Sequence, residues 1–147
     1  CQSRLFNRVL AERLAEVDSL CEGDLAYLHR NGAVFRVTDS RAESPRLRSF
    51  EISPSGPMFG YKVLLAEGAP GELERRVLAE SGMELEAFKG RMALKARGER
   101  RALRVPAGDA RVEGLEDGGE ACLRLSFTLP AGSFATSLLR EVQKPGT

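Results

Sequence analysis

The spacing of the apolar residues near the C-terminus changes once, from every second position to every fourth. This change indicates a different type of structure on either side. Every odd position from 121 to 129 is apolar, which is the period of a half-buried strand. Pro130 has no N–H for a ladder and ends the strand. Beyond Gly132 the apolar residues recur every four positions, as on one face of a helix: Phe134, Leu138 and Val142. The stretch therefore predicts a strand, a tight turn and a helix capped by Ser133.

The turn between this strand and this helix has two alternative roles. The first N–H groups of a helix have no internal partners, so they can receive an anion or the polar edge of a ligand. Strand-to-helix turns that contain glycine and serine are also common elements of packing and capping. The residue pattern alone favours packing and leaves ligand binding open.

The beginning of the chain predicts a helix followed by a β-hairpin. Apolar residues at helical spacing from 5 to 20, with charged residues on the opposite side, indicate an amphipathic helix that Ser3 can cap. Asn31-Gly32 lies between two apolar runs, and both residues tolerate the positive φ of a tight hairpin turn. His29, beside this turn, is expected at the surface.

The middle of the chain predicts short elements around an irregular loop. Ser44-Pro45 suits the start of a short helix that runs to about residue 50, where a strand over 50–53 begins. Two prolines and two glycines among residues 54–61 argue against regular structure, so this octet predicts a rigid loop. Phe59 and Tyr61 are expected to pack beneath the loop, with stacking on nucleic-acid bases as the alternative.

The remaining patterns mix helices with strands and complete an α+β fold class. Gly68 and Pro70 open a predicted helix, and Gly82 is placed to end it. The other predicted elements are a strand over 61–65, a helical turn over 85–88, a strand over 102–106 and a hairpin of 111–116 with 121–129.

Charge is unevenly distributed although the net charge is only +1. Between residues 89 and 104 there is one acid, Glu99, among seven basic residues: Lys89, Arg91, Lys95, Arg97, Arg100, Arg101 and Arg104. Residues 109–120 reverse the sign. The basic stretch is either a solvated face or a surface for a polyanion such as RNA, where each neutralised phosphate releases counterions.

The cysteine and histidine inventory excludes several classes of site. Three dispersed cysteines and one histidine do not supply the clustered ligands of a zinc site. Cysteine–histidine catalysis would depend on His29 alone and is disfavoured. Reduced cysteines are expected, with a cytoplasmic location. No apolar run reaches the roughly 20 residues of a membrane span. The chain opens with Cys1 rather than Met, so a fragment of a longer protein is expected.

Four phrases resemble one protein family and occur in that family's order. Residues 129–141, Leu-Pro-Ala-Gly-Ser-Phe-Ala-Thr-Ser-Leu-Leu-Arg-Glu, resemble the C-terminal signature of the TruD family of tRNA pseudouridine synthases. Residues 5–14 resemble the start of its inserted domain. Residues 51–60, Glu-Ile-Ser-Pro-Ser-Gly-Pro-Met-Phe-Gly, are similar to its Ser/Thr-Gly-Pro-Leu/Met-Phe-Gly element. Residues 101–106 resemble the point where the chain re-enters the catalytic domain.

The resemblance implies two domains and an activity. Residues 1–105 would be the inserted TRUD-type domain, of mixed α/β structure with hairpins and amphipathic helices. Residues 106–147 would be the C-terminal piece of the catalytic domain, a β-hairpin and a helix, with the boundary somewhere within 98–108. The family isomerises uridine to pseudouridine at position 13 of tRNA, without a metal or an organic cofactor. The implied partner is tRNA.

The resemblance also implies roles for particular residues. Phe134 matches the aromatic residue near the bound base, Gly132 and Ser133 form the turn, and Arg140 contacts the RNA backbone or an acidic partner. The basic stretch adds four expected RNA contacts: Lys95, Arg97, Arg100 and Arg101.

The family's nucleophilic aspartate belongs to an N-terminal part that this sequence does not match. None of the available aspartates lies in a corresponding motif: Asp18, Asp24, Asp39, Asp109 and Asp117. The chain alone is therefore expected to lack isomerase activity. Two other interpretations remain, a non-catalytic RNA-binding module that uses residues 89–104 and a structural or protein-interaction domain.

Overall fold

A computed structural model describes residues 2–89 and 96–144, except the side chain of Glu141. The chain divides into two compact units, Cys1–Arg104 and Val105–Thr147. The division lies one residue from the boundary predicted after residue 105. None of the helices in the described ranges is both long and apolar enough to cross a membrane.

The described residues of the first unit form one antiparallel sheet and three helices. The helices are α1 (Gln2–Arg13), α2 (Ser40–Arg48) and α3 (Gly68–Glu80), with short 3-10 turns at Leu14–Glu16 and Leu85–Lys89. The strands are β1 (Leu25–Leu28), β2 (Val34–Arg36), β3 (Ile52–Met58) and β4 (Glu99–Ala102), in the spatial order β2-β1-β3-β4. The predicted hairpin at Asn31-Gly32 is confirmed: β1 pairs with β2, and Gly32 has φ +75°.

The predicted rigid loop at 54–61 is wrong, because most of it is the central strand β3, buried along its whole length. The two prolines fit because their missing donors fall where ladders end. The Pro54 carbonyl accepts from Leu103 N (2.9 Å), just beyond the end of β4. The N and O of one strand residue point to the same side, so the Pro54 nitrogen also faces the end of β4, where its missing N–H costs no ladder bond. Pro57 lies beyond the last residue that β1 pairs with. Gly56 leaves room for Phe6, whose ring would lie 3.1 Å from an added Cβ.

Several predicted boundaries also move. α1 ends at Arg13 rather than near residue 20, and Ser3 lies inside it. α2 begins earlier than predicted because Asp39, not Ser44, is its cap: the Asp39 carboxylate accepts from Arg41 N (3.0 Å) and Ala42 N (3.1 Å). No strand forms over 61–65, and the strand predicted at 102–106 instead spans 99–102. The predicted helix at 68–82 and the turn at 85–88 are confirmed.

Three apolar clusters make up the core of the first unit as far as it is described. One cluster joins α1 to α3 and the segment after β3, and Phe59 is fully buried in it. Packing, the expected role of Phe59, is therefore confirmed. A second cluster includes Leu47 of α2 and Ile52 of β3, and the third joins Phe6 to Met58 and Leu103.

Two buried ion pairs accompany these clusters. Arg13 at the end of α1 forms a bidentate pair with Asp24, whose carboxylate also accepts from Cys21 N (2.8 Å). Burial alone would lower the pKa of Arg13, but the hydrogen bond and charge of Asp24 raise it above its usual value. The end of α1 is thereby held beside the start of β1.

The second pair joins Arg100 of β4 to Glu74 of α3, with Nη1 2.8 Å from Oε1. Arg100 also donates to Ser55 O, to Ser55 Oγ (3.0 Å) and to Leu64 O (3.2 Å). The other oxygen of Glu74 accepts from Ala66 N (2.9 Å). Burial raises the pKa of Glu74, and the charge of Arg100 opposes this shift. The pair connects β3, β4, α3 and the segment between β3 and α3.

The second unit is a hairpin followed by a helix. β5 (Gly108–Asp117) pairs with β6 (Glu120–Thr128), and α4 (Ala135–Val142) follows, so the predicted hairpin and helix are confirmed. Gly118 and Gly119 form the two-residue turn with φ +60° and +87°. One face of the hairpin is apolar, and two of its side chains are widely exposed, Val112 (66%) and Leu123 (74%). Apolar side chains this exposed are typical of a surface that another segment covers.

Replacing Glu74 by Gln should destabilise the first unit by about 3 kcal/mol, because Arg100 would keep its buried charge without a counterion. Both tyrosines, Tyr27 and Tyr61, lie in this unit and the chain has no tryptophan, so tyrosine fluorescence during urea unfolding reports on it alone. Glu72→Gln, at an exposed position of α3, is the matched control and should change little. Equal stability of the two variants would contradict the assignment.

Candidate functional site

The turn between β6 and α4 presents an aromatic ring to solvent. Gly132 has φ +86°, a conformation that favours glycine, and nothing lies within 4 Å of an added Cβ. Ser133 N donates to Pro130 O (3.1 Å), which closes the turn. Phe134 is 70% exposed, and its backbone occupies the helix cap position. Gly132, Ser133 and Phe134 thus form one accessible ledge with an aromatic side chain at its edge.

Two details of this ledge differ from expectation. Ser133 is not the cap of α4: Phe134 holds that position, and no side chain caps the helix. Arg140 is exposed in the last turn of α4, six residues beyond Phe134 or about 9 Å along the axis. The turn and Arg140 therefore do not form one side-chain cluster within this unit. What the ledge offers chemically is a stacking surface beside helix N–H groups.

The basic stretch divides into buried and exposed members. Lys95 lies outside the described residues. Arg97 and Arg101 are exposed, with Arg101 at 3.7 Å from Glu99. Arg100 is 8% exposed, and its guanidinium is occupied by Glu74 and by backbone oxygens, so the prediction that it contacts RNA is wrong. An arginine that is neutralised inside the protein has no charge to offer a phosphate.

A polar cluster around His29 was not anticipated from the sequence. His29 is half-buried rather than a free surface side chain, and its Nε2 lies 2.8 Å from Ser53 Oγ. Arg104 donates to the same oxygen (3.2 Å) and to Leu47 O (2.6 Å), and it stacks over Phe50 at 4.2 Å. Strand pairing brings these residues together from distant positions, and no local pattern indicates it.

The hydrogen bonds of this cluster suit a neutral imidazole. Ser53 is fully buried, and its oxygen accepts from Arg104, so its own proton is available to an unprotonated Nε2 of His29. Burial, and then the charge of Arg104, lower the pKa of His29 below its ordinary value of 6.5.

Burial and then Asp24 raise the pKa of the Cys21 thiol, so this cysteine is a poor nucleophile at neutral pH.

Comparison with known proteins decides the family. The family model described as tRNA pseudouridine synthase D (TruD) matches residues 1–142. The chain belongs to the TruD family. Its similarity to known TruD proteins therefore extends across both units and includes the ledge at Phe134.

Individual TruD relatives agree with this result. The chain is 51% identical to tRNA pseudouridine synthase D of Geobacter metallireducens over 146 residues, which cover 99% of this chain and 35% of the relative. It is 41% identical to the protein of the same name from Anaeromyxobacter sp. strain Fw109-5, covering 99% of this chain and 40% of the relative. The chain thus spans little more than a third of the length of these curated relatives.

A solved TruD structure has the same fold over this region. The crystal structure from Methanosarcina mazei, named as tRNA pseudouridine synthase D (TruD), superposes with a TM-score of 0.82 at 30% identity. The match covers 98% of this chain and 36% of that one.

Within the described ranges of the present chain, no group of three or more His, Cys, Asp or Glu side chains is arranged to hold a metal ion.

The His29 cluster generates a test of pH dependence. Because the folded state disfavours protonated His29, the unfolded state takes up the proton first as the pH falls below about 6.5. The free energy of unfolding should therefore decline between about pH 7 and pH 5, and His29→Gln should make this decline shallower. His29 is the only histidine, so the difference between the two urea-unfolding series reports on it. Identical pH dependence would contradict the proposed environment.

Proposed function

We propose that this chain is part of an enzyme that isomerises uridine to pseudouridine in tRNA, at position 13. The observation that carries the proposal is the TruD family match over residues 1–142, which extends through both units. We assign Cys1–Arg104 to the inserted domain and Val105–Thr147 to the C-terminal piece of the catalytic domain. Action on tRNA is consistent with the predicted cytoplasmic location.

The reaction sets demands that this chain meets only in part. The bond between ribose C1′ and uracil N1 must break, the uracil must turn, and C1′ must bond to C5, from which a proton is lost. The target nucleotide must first leave the stack, because an enzyme cannot reach its reacting atoms inside a helix. In our proposal Phe134 provides a stacking surface for the extruded uracil, and Gly132 and Ser133 shape the turn around it.

The nucleophile is supplied from outside this chain. The catalytic nucleophile of the family is an aspartate in its N-terminal part, and the aspartates of the present sequence lie in no matching motif. Asp24, for example, is fully buried in its pair with Arg13. The exposed apolar face of the β5–β6 hairpin fits this account, because the rest of a catalytic domain would cover it.

A non-catalytic RNA-binding module is the second candidate. The exposed side chains of Arg97 and Arg101 favour it, whereas the burial of Arg100 removes one of its predicted contacts. This candidate and the enzyme share RNA binding, so isomerisation by the complete protein separates them.

The 147-residue chain by itself should not isomerise uridine, because it lacks the nucleophile. The measurement is tritium release from tRNA that carries [5-³H]uridine, since forming the C1′–C5 bond expels the label. A complete protein that contains this chain and a TruD-type N-terminal part should release tritium from the same tRNA. Release by the 147-residue chain alone would contradict the division of roles, and no release by the complete protein would contradict the proposed function.

In the complete protein, Phe134→Ala should lower turnover about 10- to 100-fold, the range expected when one base loses an aromatic stacking partner. Single-turnover tritium release measures the effect. Thr136→Ala, at a nearby exposed position on α4, is the control and should retain the parent rate. An unchanged rate for Phe134→Ala would remove this ring from the site.

A further inference from the structure

Two exposed cations from separate segments are joined by backbone hydrogen bonds after β3. Residues 60–63 form a β-turn in which Val63 N donates to Gly60 O (3.1 Å), so Tyr61 and Lys62 occupy its corner. Tyr61 N donates to Ala96 O (3.1 Å) and Lys62 N to Arg97 O (2.8 Å). The side chains of Lys62 and Arg97 are both exposed. The turn therefore brings the backbones of Lys62 and Arg97 together although the two residues are 35 positions apart in the sequence.

Two glycines make the close crossing of residues 60–63 with residues 96–98 sterically feasible. A Cβ on Gly60 would lie 2.2 Å from Gly98 N and 2.4 Å from Ala96 O. Gly98 has φ +80°, and a Cβ there would lie 2.8 Å from Gly60 N. No side chain fits at either position without moving backbone. The crossing consequently has a fixed geometry, and Lys62 and Arg97 project from a rigid base rather than from a flexible loop.

The charges of Lys62 and Arg97 are not neutralised in the described part of the chain. None of the ion pairs found there involves either residue, whereas six other exposed or half-exposed arginines each pair with a glutamate: Arg8, Arg36, Arg46, Arg76, Arg101 and Arg124. Residues 90–95, which precede the Arg97 segment in sequence, contain no acid. The Lys62 ammonium instead lies 5.9 Å above the half-buried ring of Tyr61.

We propose that Tyr61, Lys62 and Arg97 form an RNA-contact patch in which the two cations bind neighbouring phosphates of the substrate tRNA. This inference rests on the proposed function and extends it to a contact surface on the first unit. Tyr61 supports the Lys62 side chain from below. Packing, the expected role of Tyr61, is confirmed because Tyr61 packs against the cluster that joins α1 to α3. In our proposal the Lys62 side chain above this ring faces the RNA backbone.

The physical basis is the release of condensed counterions. Each phosphate contact contributes about 0.7 to 0.9 to the slope of log affinity against log salt concentration. Two rigidly held, unpaired cations should therefore contribute roughly 1.5 to that slope. Two side chains that stay solvated and contact no phosphate would add nothing to this slope, because no counterions would be released from the RNA. The salt dependence of binding thus separates the two interpretations.

The test measures binding of an unmodified tRNA transcript to the full 147-residue chain by fluorescence anisotropy at several salt concentrations. The double variant Lys62→Gln/Arg97→Gln should bind roughly tenfold more weakly at moderate salt, with a slope reduced by about 1.5. The control is Arg41→Gln/Arg48→Gln, which removes the same charge from exposed positions on α2 and should leave the slope unchanged. Lys62→Arg/Arg97→Lys keeps both charges and should restore binding.

Equal losses in the patch variant and in the α2 variant would overturn the proposal, since they would show a response to net charge alone. Failure of the unaltered chain to bind tRNA at low salt would overturn it as well. Neither result bears on isomerisation by the complete protein, which tritium release measures separately. A tyrosine-fluorescence melt of each variant checks that the first unit remains folded.

Discussion

The buried pair of Arg100 and Glu74 organises the first unit. Removing two charges from water costs several kcal/mol per ion, and this cost is offset only where hydrogen bonds and a close counterion replace the lost hydration. Here Arg100 reaches Ser55, Leu64 and Glu74, while Glu74 also takes the Ala66 N–H. The central strand, an edge strand, α3 and the connecting segment are therefore held in one arrangement.

This arrangement explains why several exposed features lie where they do. Strand β4 begins directly after the Gly60–Gly98 crossing, so fixing Arg100 also fixes the backbone that bears Arg97. At the far end of the same segment, Arg104 is tied to Ser53 and Leu47 and is the last residue of the first unit. The described part of the basic stretch includes β4, and its arginines make different contacts, so proximity in sequence does not give them a common role.

Features that arise from neighbouring residues could be predicted from the sequence. The Asn31-Gly32 turn, the Gly118-Gly119 turn and the change of period before Phe134 each depend on a few adjacent positions, and each produced the expected element. The strand at 52–58 could not be recognised, because its prolines are tolerated only where neighbouring strands stop. Arg100 was similarly misjudged, since its counterion is 26 positions away on α3.

The candidate site was predictable only as far as its local motif reaches. The turn and the exposed ring of Phe134 follow from residues 129–141, whereas the half-buried His29 and the juxtaposition of Lys62 with Arg97 depend on tertiary pairing. The chain belongs to the TruD family but spans only 35% of its Geobacter metallireducens relative. In our proposal the ledge is one side of a site whose other side lies outside these 147 residues.

The most direct test of this account is a structure of the complete protein bound to tRNA that carries 5-fluorouridine at the target position. Fluorine cannot leave C5 as a proton does, so the altered base should remain in the site. The Phe134 ring should lie within about 4 Å of the base, and an aspartate from outside this chain should reach the nucleoside. A target base bound without any contact from residues 129–141 would contradict it.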